Sequence, residues 1–162
     1  NETEVLVYDQ DGVEVTAFAV SHPPVEPVFG YKIEYAGRKI IISGDTVITD
    51  GLREQSQRAD LVVMDTMNHD LVESLENVVR RLGDDRNATI FYDIREYHPD
   101  VDDIAAFATE AQVARLALTH FYAPSVQSER QRRRLYVDPI EAGYDGEVIA
   151  GSDGTTITIP LN

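Results

Sequence analysis

Three residues suited to metal chemistry stand directly after runs that read as β-strands: His22, Asp45 and His120. Val13 to Val20 alternates and stops at Ser21-His22-Pro23-Pro24. The β-branched run from Lys39 to Ser43 leads into Gly44-Asp45-Thr46, and Leu116-Ala117-Leu118 delivers Thr119-His120. In α/β sheets, sites gather at the C-terminal ends of strands. Imidazole nitrogen and carboxylate oxygen suit zinc, manganese or iron, and a carboxylate can bridge two cations where one histidine cannot. The sequence has no cysteine, so thiolate ligands and disulfides are excluded. Taken singly, each residue has an ordinary reading: His22 as a turn histidine, Asp45 as a turn cap, His120 as a satisfied core histidine. Their shared placement after strand ends is the argument for a site.

The elements that must position them follow from periodicity. Phe29 to Tyr35 alternates, Ala36-Gly37 is a turn, and Lys39 to Ser43 reads as a strand buried on both faces. Leu61 to Met64 is a further buried strand ending at Asp65. The spacing of Leu71, Val72, Leu75, Val78, Val79 and Leu82 predicts a helix over 70–82, with Gly83 as its stop. Residues 87–97 read equally as helix or strand. A second helix is expected from Asp100, an N-cap with Asp103 three residues on, and Val101, Ile104, Ala105, Ala108 and Ala111 form its inner stripe. Glu147–Ala150 and Thr155–Pro160, flanking Gly151-Ser152-Asp153-Gly154, read as a hairpin. Strands first, then strands alternating with helices, indicate α/β layers, a mixed sheet with its helices on one face.

Four segments in order carry a family resemblance: Ser21-His22 before Phe29-Gly30-Tyr31-Lys32-Ile33, then Ser43-Gly44-Asp45-Thr46, Tyr97-His98, and Leu118-Thr119-His120-Phe121. From Val13 to Tyr122 the chain resembles the C-terminal half of the metallo-β-lactamase superfamily, in its ribonuclease Z-like and arylsulfatase-like branch. The resemblance implies half of an αββα sandwich and a metal-dependent hydrolase. It implies two divalent metal ions, zinc first, with manganese or iron as alternatives. His22 would bind one metal, His120 the other, and Asp45 would bridge them, sharing an activated water. His98 would donate a proton or hold substrate, although Pro99 stands where that branch has Ser or Thr. Asp65 would orient a ligand histidine from behind. His69 matches no ligand position and is expected to be structural or exposed.

The family's His-x-His-x-Asp-His motif is absent from all 162 residues. Residues 1–162 are therefore expected to be one partial domain lacking its N-terminal, motif-bearing half, and to be inactive alone. One histidine per metal and a shared aspartate give each ion two protein ligands, where catalytic zinc has at least three. The expected partners are that missing half or a second copy of the chain.

Charge bears on the substrate class. Asp and Glu number 29 against 14 Lys and Arg, for a net charge of −15. Polyanion binding rests largely on Lys and Arg, so nucleic acid is an unlikely partner on this reading and a small-molecule ester is expected, a phosphodiester or sulfate ester. The alternatives are a tRNA 3′-processing endonuclease (ribonuclease Z) and a non-catalytic fold half or interaction module. A phospho-acceptor domain, suggested by Asp45 after a buried strand, needs a late lysine, and Lys39 is the last. The basic stretch Gln127–Leu135, with Arg130, Arg132, Arg133 and Arg134, reads as a solvated helix face. No apolar run is long enough to span a bilayer and no leader is visible, so no membrane partner is expected; the compartment, cytoplasmic or exported, stays open.

Overall fold

A computed structural model describes residues 4–122 and 128–161. Seven strands form one sheet in sequence order. They are β1 (Glu4–Gln10), β2 (Val13–Ala19), β3 (Phe29–Tyr35), β4 (Arg38–Ile42), β5 (Leu61–Asp65), β6 (Arg115–Thr119) and β7 (Glu147–Ala150). Strands β1 to β4 pair antiparallel, and β4 to β7 pair parallel. The switch follows from the connections. Two-residue turns join β1 to β2 and β3 to β4, whereas α1 (Asp50–Gln55) and longer helical segments separate the later strands. At the β3–β4 tip Ala36 and Gly37 both have positive φ, 48° and 75°, the twist that a tight hairpin needs.

Alternation decides which side chains face the helices. Phe18, Ile41, Val62, Met64, Leu116 and Leu118 are buried beneath Leu52 of α1, Ile104 and Phe107 of α4 (Val101–Glu110), and Tyr136 and Ile140. Tyr136 lies in a π-helical turn (Arg133–Val137) linking α5 (Glu129–Arg132) to α6 (Asp138–Glu141). The opposite sheet face is also apolar. Tyr31 lies opposite Ala17 and Ile42, and Tyr35 opposite Val13, yet Phe29 and Tyr35 are 47% and 49% exposed. Among the described residues only the C-terminal tail crosses this face: Ile159 and Leu161 close a small cavity over Ile33 and Ile40, and Arg115 Nη1 donates to Thr158 O at 3.0 Å.

Helix α2 (His69–Arg81) begins at Asn68, whose side chain accepts from Leu71 N, and pairs with α3 (Asp85–Asp93). The ambiguous 87–97 stretch is thus α3 followed by a 3₁₀ turn (Ile94–Glu96). A small second core of Met67, Val72 and Ile94 lies beneath this helical pair. The expected stripe of α2 is only partly used, since Val78 and Leu82 are 51% and 78% exposed.

Three expectations change. Strand β1 was not foreseen, because Val5-Leu6-Val7-Tyr8 is continuously apolar and shows no period of two. The C-terminal hairpin does not form: β7 pairs parallel with β6, and Thr155–Pro160 leaves the sheet edge to run over the open face. Asp100 precedes α4 but makes no side-chain cap; its carboxylate accepts from His69 N at 2.8 Å, tying the two helix starts together.

Candidate active site

The loops leaving β4, β5 and β6 meet at one end of the sheet. Gly44, directly after β4, has φ 67°, and a Cβ there would stand 2.9 Å from Phe29 O. Only glycine fits this turn without strain, and it places Asp45 outward, half exposed. Thr46 stitches the turn to the neighbouring loop. Its hydroxyl accepts from Ser21 N at 3.0 Å, and Val47 N donates to Ser21 O at 3.1 Å, which fixes the backbone leading into His22. Ser43 Oγ accepts from Asp65 N at 3.0 Å, locking the end of β5 to the same turn.

Asp65 is fully buried and joins both later histidines. Its Oδ2 lies 2.6 Å from His98 Nδ1 and accepts from Thr46 N at 3.2 Å, while its Oδ1 lies 3.2 Å from His120 Nδ1. A neutral imidazole that donates from Nδ1 to a carboxylate has its lone pair on Nε2. His120 Nε2 stands 3.6 Å from Asp45 Oδ2. His120 itself holds φ 53°, an uncommon conformation for a side chain of its size, of the sort that accumulates at functional sites.

The histidine rings form a row with His98 in the middle. Its centroid is 5.1 Å from that of His22 and 5.2 Å from that of His120. His98 is buried at 6% exposure, and its backbone carbonyl accepts from His69 Nε2 at 3.0 Å. His69 therefore props the site from outside it. Tyr97 packs 4.5 Å from the His22 ring, and burial, with Asp93 adding, pushes its phenol above the usual range, so it stays protonated. His22 Nδ1 is buried without a hydrogen-bond partner among the described residues.

Asp65, His98 and His120 present ligand-type atoms that all lie within 4.8 Å of one another. Asp65 is nevertheless the poorer ligand, because both its oxygens already face imidazole Nδ1 atoms inside the protein. Asp45, His120 Nε2 and His22 are the candidate groups to face a cation. Their chemistry, two imidazoles and a carboxylate, suits a borderline or hard divalent ion. Asp45 and His120 are thus brought face to face, and His98 links them to His22.

The sequence reading did not anticipate that Asp65 serves two histidines, or that Thr46 and Ser43 bind the loops together. Ser-Gly-Asp-Thr carried that signal, since its flanking hydroxyls are what tie three strand ends. The basic stretch is partly as expected: Arg133 pairs with Asp138 and Glu141, whereas Arg132 is half-buried; Gln127 lies outside the described residues.

A family model described as a beta-lactamase superfamily domain matches residues 1–121. The chain belongs to the metallo-β-lactamase superfamily. A ribonuclease Z from Mycolicibacterium paratuberculosis is 32% identical over 151 residues, covering 93% of this chain and 49% of that protein. Among solved structures, the short form of human tRNase Z superposes with a TM-score of 0.61 at 27% identity, over 98% of this chain and 47% of that one. A metallo-beta-lactamase fold protein from Bacillus subtilis superposes at 0.62 with 17% identity, over 91% of this chain and 50% of that one. This superfamily member spans about half the length of the curated relatives it matches.

These relatives overturn one expectation. A small-molecule ester partner, with nucleic acid disfavoured on charge, conflicts with relatives named ribonuclease Z and tRNase Z. A net charge of −15 counts the whole chain and says nothing of which residues border the site. Among the described residues no helix is long and apolar enough to cross a membrane.

Proposed function

We propose that this chain is the C-terminal half of a ribonuclease Z-like, metal-dependent phosphodiesterase that cleaves RNA at the 3′ side of tRNA precursors. The observation that carries the reading is the Asp45–His120 pair, 3.6 Å apart, backed by Asp65 and flanked by His98 at the convergence of three strand ends. The relatives' names supply the substrate class.

The residues fit a pair of divalent ions: His22 for one, His120 for the other, and Asp45 for both. The unpartnered, buried His22 Nδ1 is the kind of polar atom that native proteins satisfy, and a bound group at this position accounts for it. When bound, such ions supply Lewis-acid charge stabilisation and lower the pKa of water. The chain's own groups do the rest. Asp65 holds Nδ1–H of His120 in place, which points its Nε2 lone pair outward. The same carboxylate holds His98 through Nδ1, and a proton on the opposite ring nitrogen, Nε2, would pass to the RNA oxygen leaving phosphorus. Tyr97 and the His69–carbonyl contact keep the His98 ring in its place.

The open apolar face of the sheet supports the view of residues 1–162 as one partial domain. Phe29, Tyr31, Tyr35 and Ile42 would be buried by the other half of an αββα sandwich, consistent with relatives about twice as long. The complete protein should cleave a 3′-extended tRNA, and His98→Ala should lower kcat by roughly 10²–10³-fold with metal content unchanged. Cleavage of simple aryl phosphodiesters with no action on the tRNA would overturn the substrate class. Loss of metal in His98→Ala would make it a ligand.

A further inference from the structure

Among the described residues, the buried acidic and histidine side chains are Asp65, His98 and Glu76. The first two belong to the site. Glu76 lies outside it, on α2, and is only 8% exposed. Its carboxylate meets two guanidiniums. Oε1 accepts from Arg80 Nη2 at 2.7 Å, one helical turn on, and Oε2 accepts from Arg95 Nη2. Arg80 is half exposed, so that contact is an ordinary surface pair. Arg95 is different. It is largely buried, its Nε has no acceptor, and Glu76 is its one ion pair among the described residues. The Tyr92 ring backs the guanidinium, its centroid 5.4 Å from Cζ.

Arg95 stands in the 3₁₀ turn that leads into Tyr97 and His98. Beyond His98 the same segment is tied again to the start of α2. Met67 N donates to Pro99 O at 3.1 Å, and His69 N donates to Asp100 Oδ1 at 2.8 Å. The chain is thus fastened on both sides of His98, by the ion pair before it and by these bonds after it. Burying an ion pair costs desolvation that the attraction scarcely offsets, and an apolar pair would hold the helix as well. What a carboxylate and a guanidinium fork add is a fixed direction. We infer that Glu76, acting through Arg95, is a positioning residue for His98, setting where its ring stands against Asp65 and the leaving oxygen. The inference rests on the role given to His98 above and deepens it. Both partners lie in this chain and their contact is already buried, so it does not depend on what the other half of the fold covers.

The test is a mutant cycle in the complete protein. Cleavage of a 3′-extended tRNA, metal content and the His98 Nδ1–H resonance are measured on the same samples. Glu76→Gln keeps the size of the side chain and removes its charge, so folding is retained. It should lower kcat about tenfold, because small misplacements of a reacting group are costly. KM and metal content should stay within about twofold of wild type, since neither substrate nor metal ligand is touched. The His98 Nδ1–H resonance should shift as its bond to Asp65 is disturbed. Arg95→Ala should reproduce the loss, and Arg95→Lys, with the charge but not the fork, should recover part of it. In a His98→Ala background, Glu76→Gln should change the rate less than about twofold, because residues that act through one group are not additive. An equal loss in both backgrounds, or a loss with the His98 resonance unmoved, would make the ion pair merely structural and overturn the inference. If the protein cleaves an aryl phosphodiester but not the tRNA, the RNA reading fails, and the same cycle on that ester decides the positioning role. A protein that cleaves neither removes both.

Discussion

The two faces of the sheet are built from the same alternating pattern and end in different states. On one face Ile41, Val62, Met64, Leu116 and Leu118 are fully enclosed by helices. On the other, Tyr31, Tyr35, Phe29 and Ile42 remain open, crossed among the described residues only by the C-terminal tail. A strand's period of two sorts side chains between faces but does not say what will cover each face. Aromatic side chains left on the open face are the mark of a surface made to be covered. The candidate site groups sit after the C-terminal ends of β4, β5 and β6, with Asp65 buried and Asp45 half exposed.

The comparison can be broken by substitution. Leu118→Ala, on the enclosed face, should cost about 2–5 kcal/mol, because a cavity forms among packed helices. Urea denaturation of the 162-residue chain measures it. Tyr31→Ser, on the open face, should change the stability of the same chain by less than about 1 kcal/mol. In a protein carrying the remaining half, Tyr31→Ser should become costly as well. Equal losses for the two substitutions in this chain alone would mean that the faces do not differ as described.

The enclosed face also sets an alkaline limit. Burial pushes the Tyr136 and Tyr144 phenols up to about 12, and each donates a hydrogen bond to a backbone carbonyl, of Tyr122 and Val113 respectively. The folded state therefore holds protons that the unfolded chain releases near pH 10. Their stabilisation is fully present below about pH 10 and is lost as pH rises toward 12, by up to roughly 3 kcal/mol per tyrosine. Tyr136→Phe and Tyr144→Phe should each flatten the fall in stability between pH 10 and 12. An unchanged slope in both variants would remove the phenols as its cause.

Much of this was legible in the sequence, and the gaps have physical reasons. Phe29–Tyr35 and Leu61–Asp65 were readable because alternation or a short buried run is a local property. Strand β1 was not, because four consecutive apolar residues carry no face preference. The parallel placement of β7 was hidden because Gly151-Ser152-Asp153-Gly154 has the composition of a hairpin turn, and only pairing with β6 settles its direction. At the site, His22, Asp45 and His120 could be picked out by their position after strands. Asp65 could be placed only behind one histidine, since its contacts to His98 and His120 cross 33 and 55 residues of chain. The substrate class was misjudged because a net charge summed over the whole chain does not say which residues border the site.

The central claim is that Asp45 joins two ions in a site completed by the other half of the fold. The most direct measurement is metal content and precursor-tRNA cleavage on the same samples of the complete protein, for wild type, Asp45→Ala and a His69→Ala control. Two equivalents of divalent metal with cleavage are expected in the wild type and the control. Asp45→Ala is expected to lose at least one equivalent and about 10³-fold or more of its rate. Full metal content and undiminished cleavage in Asp45→Ala would contradict the account.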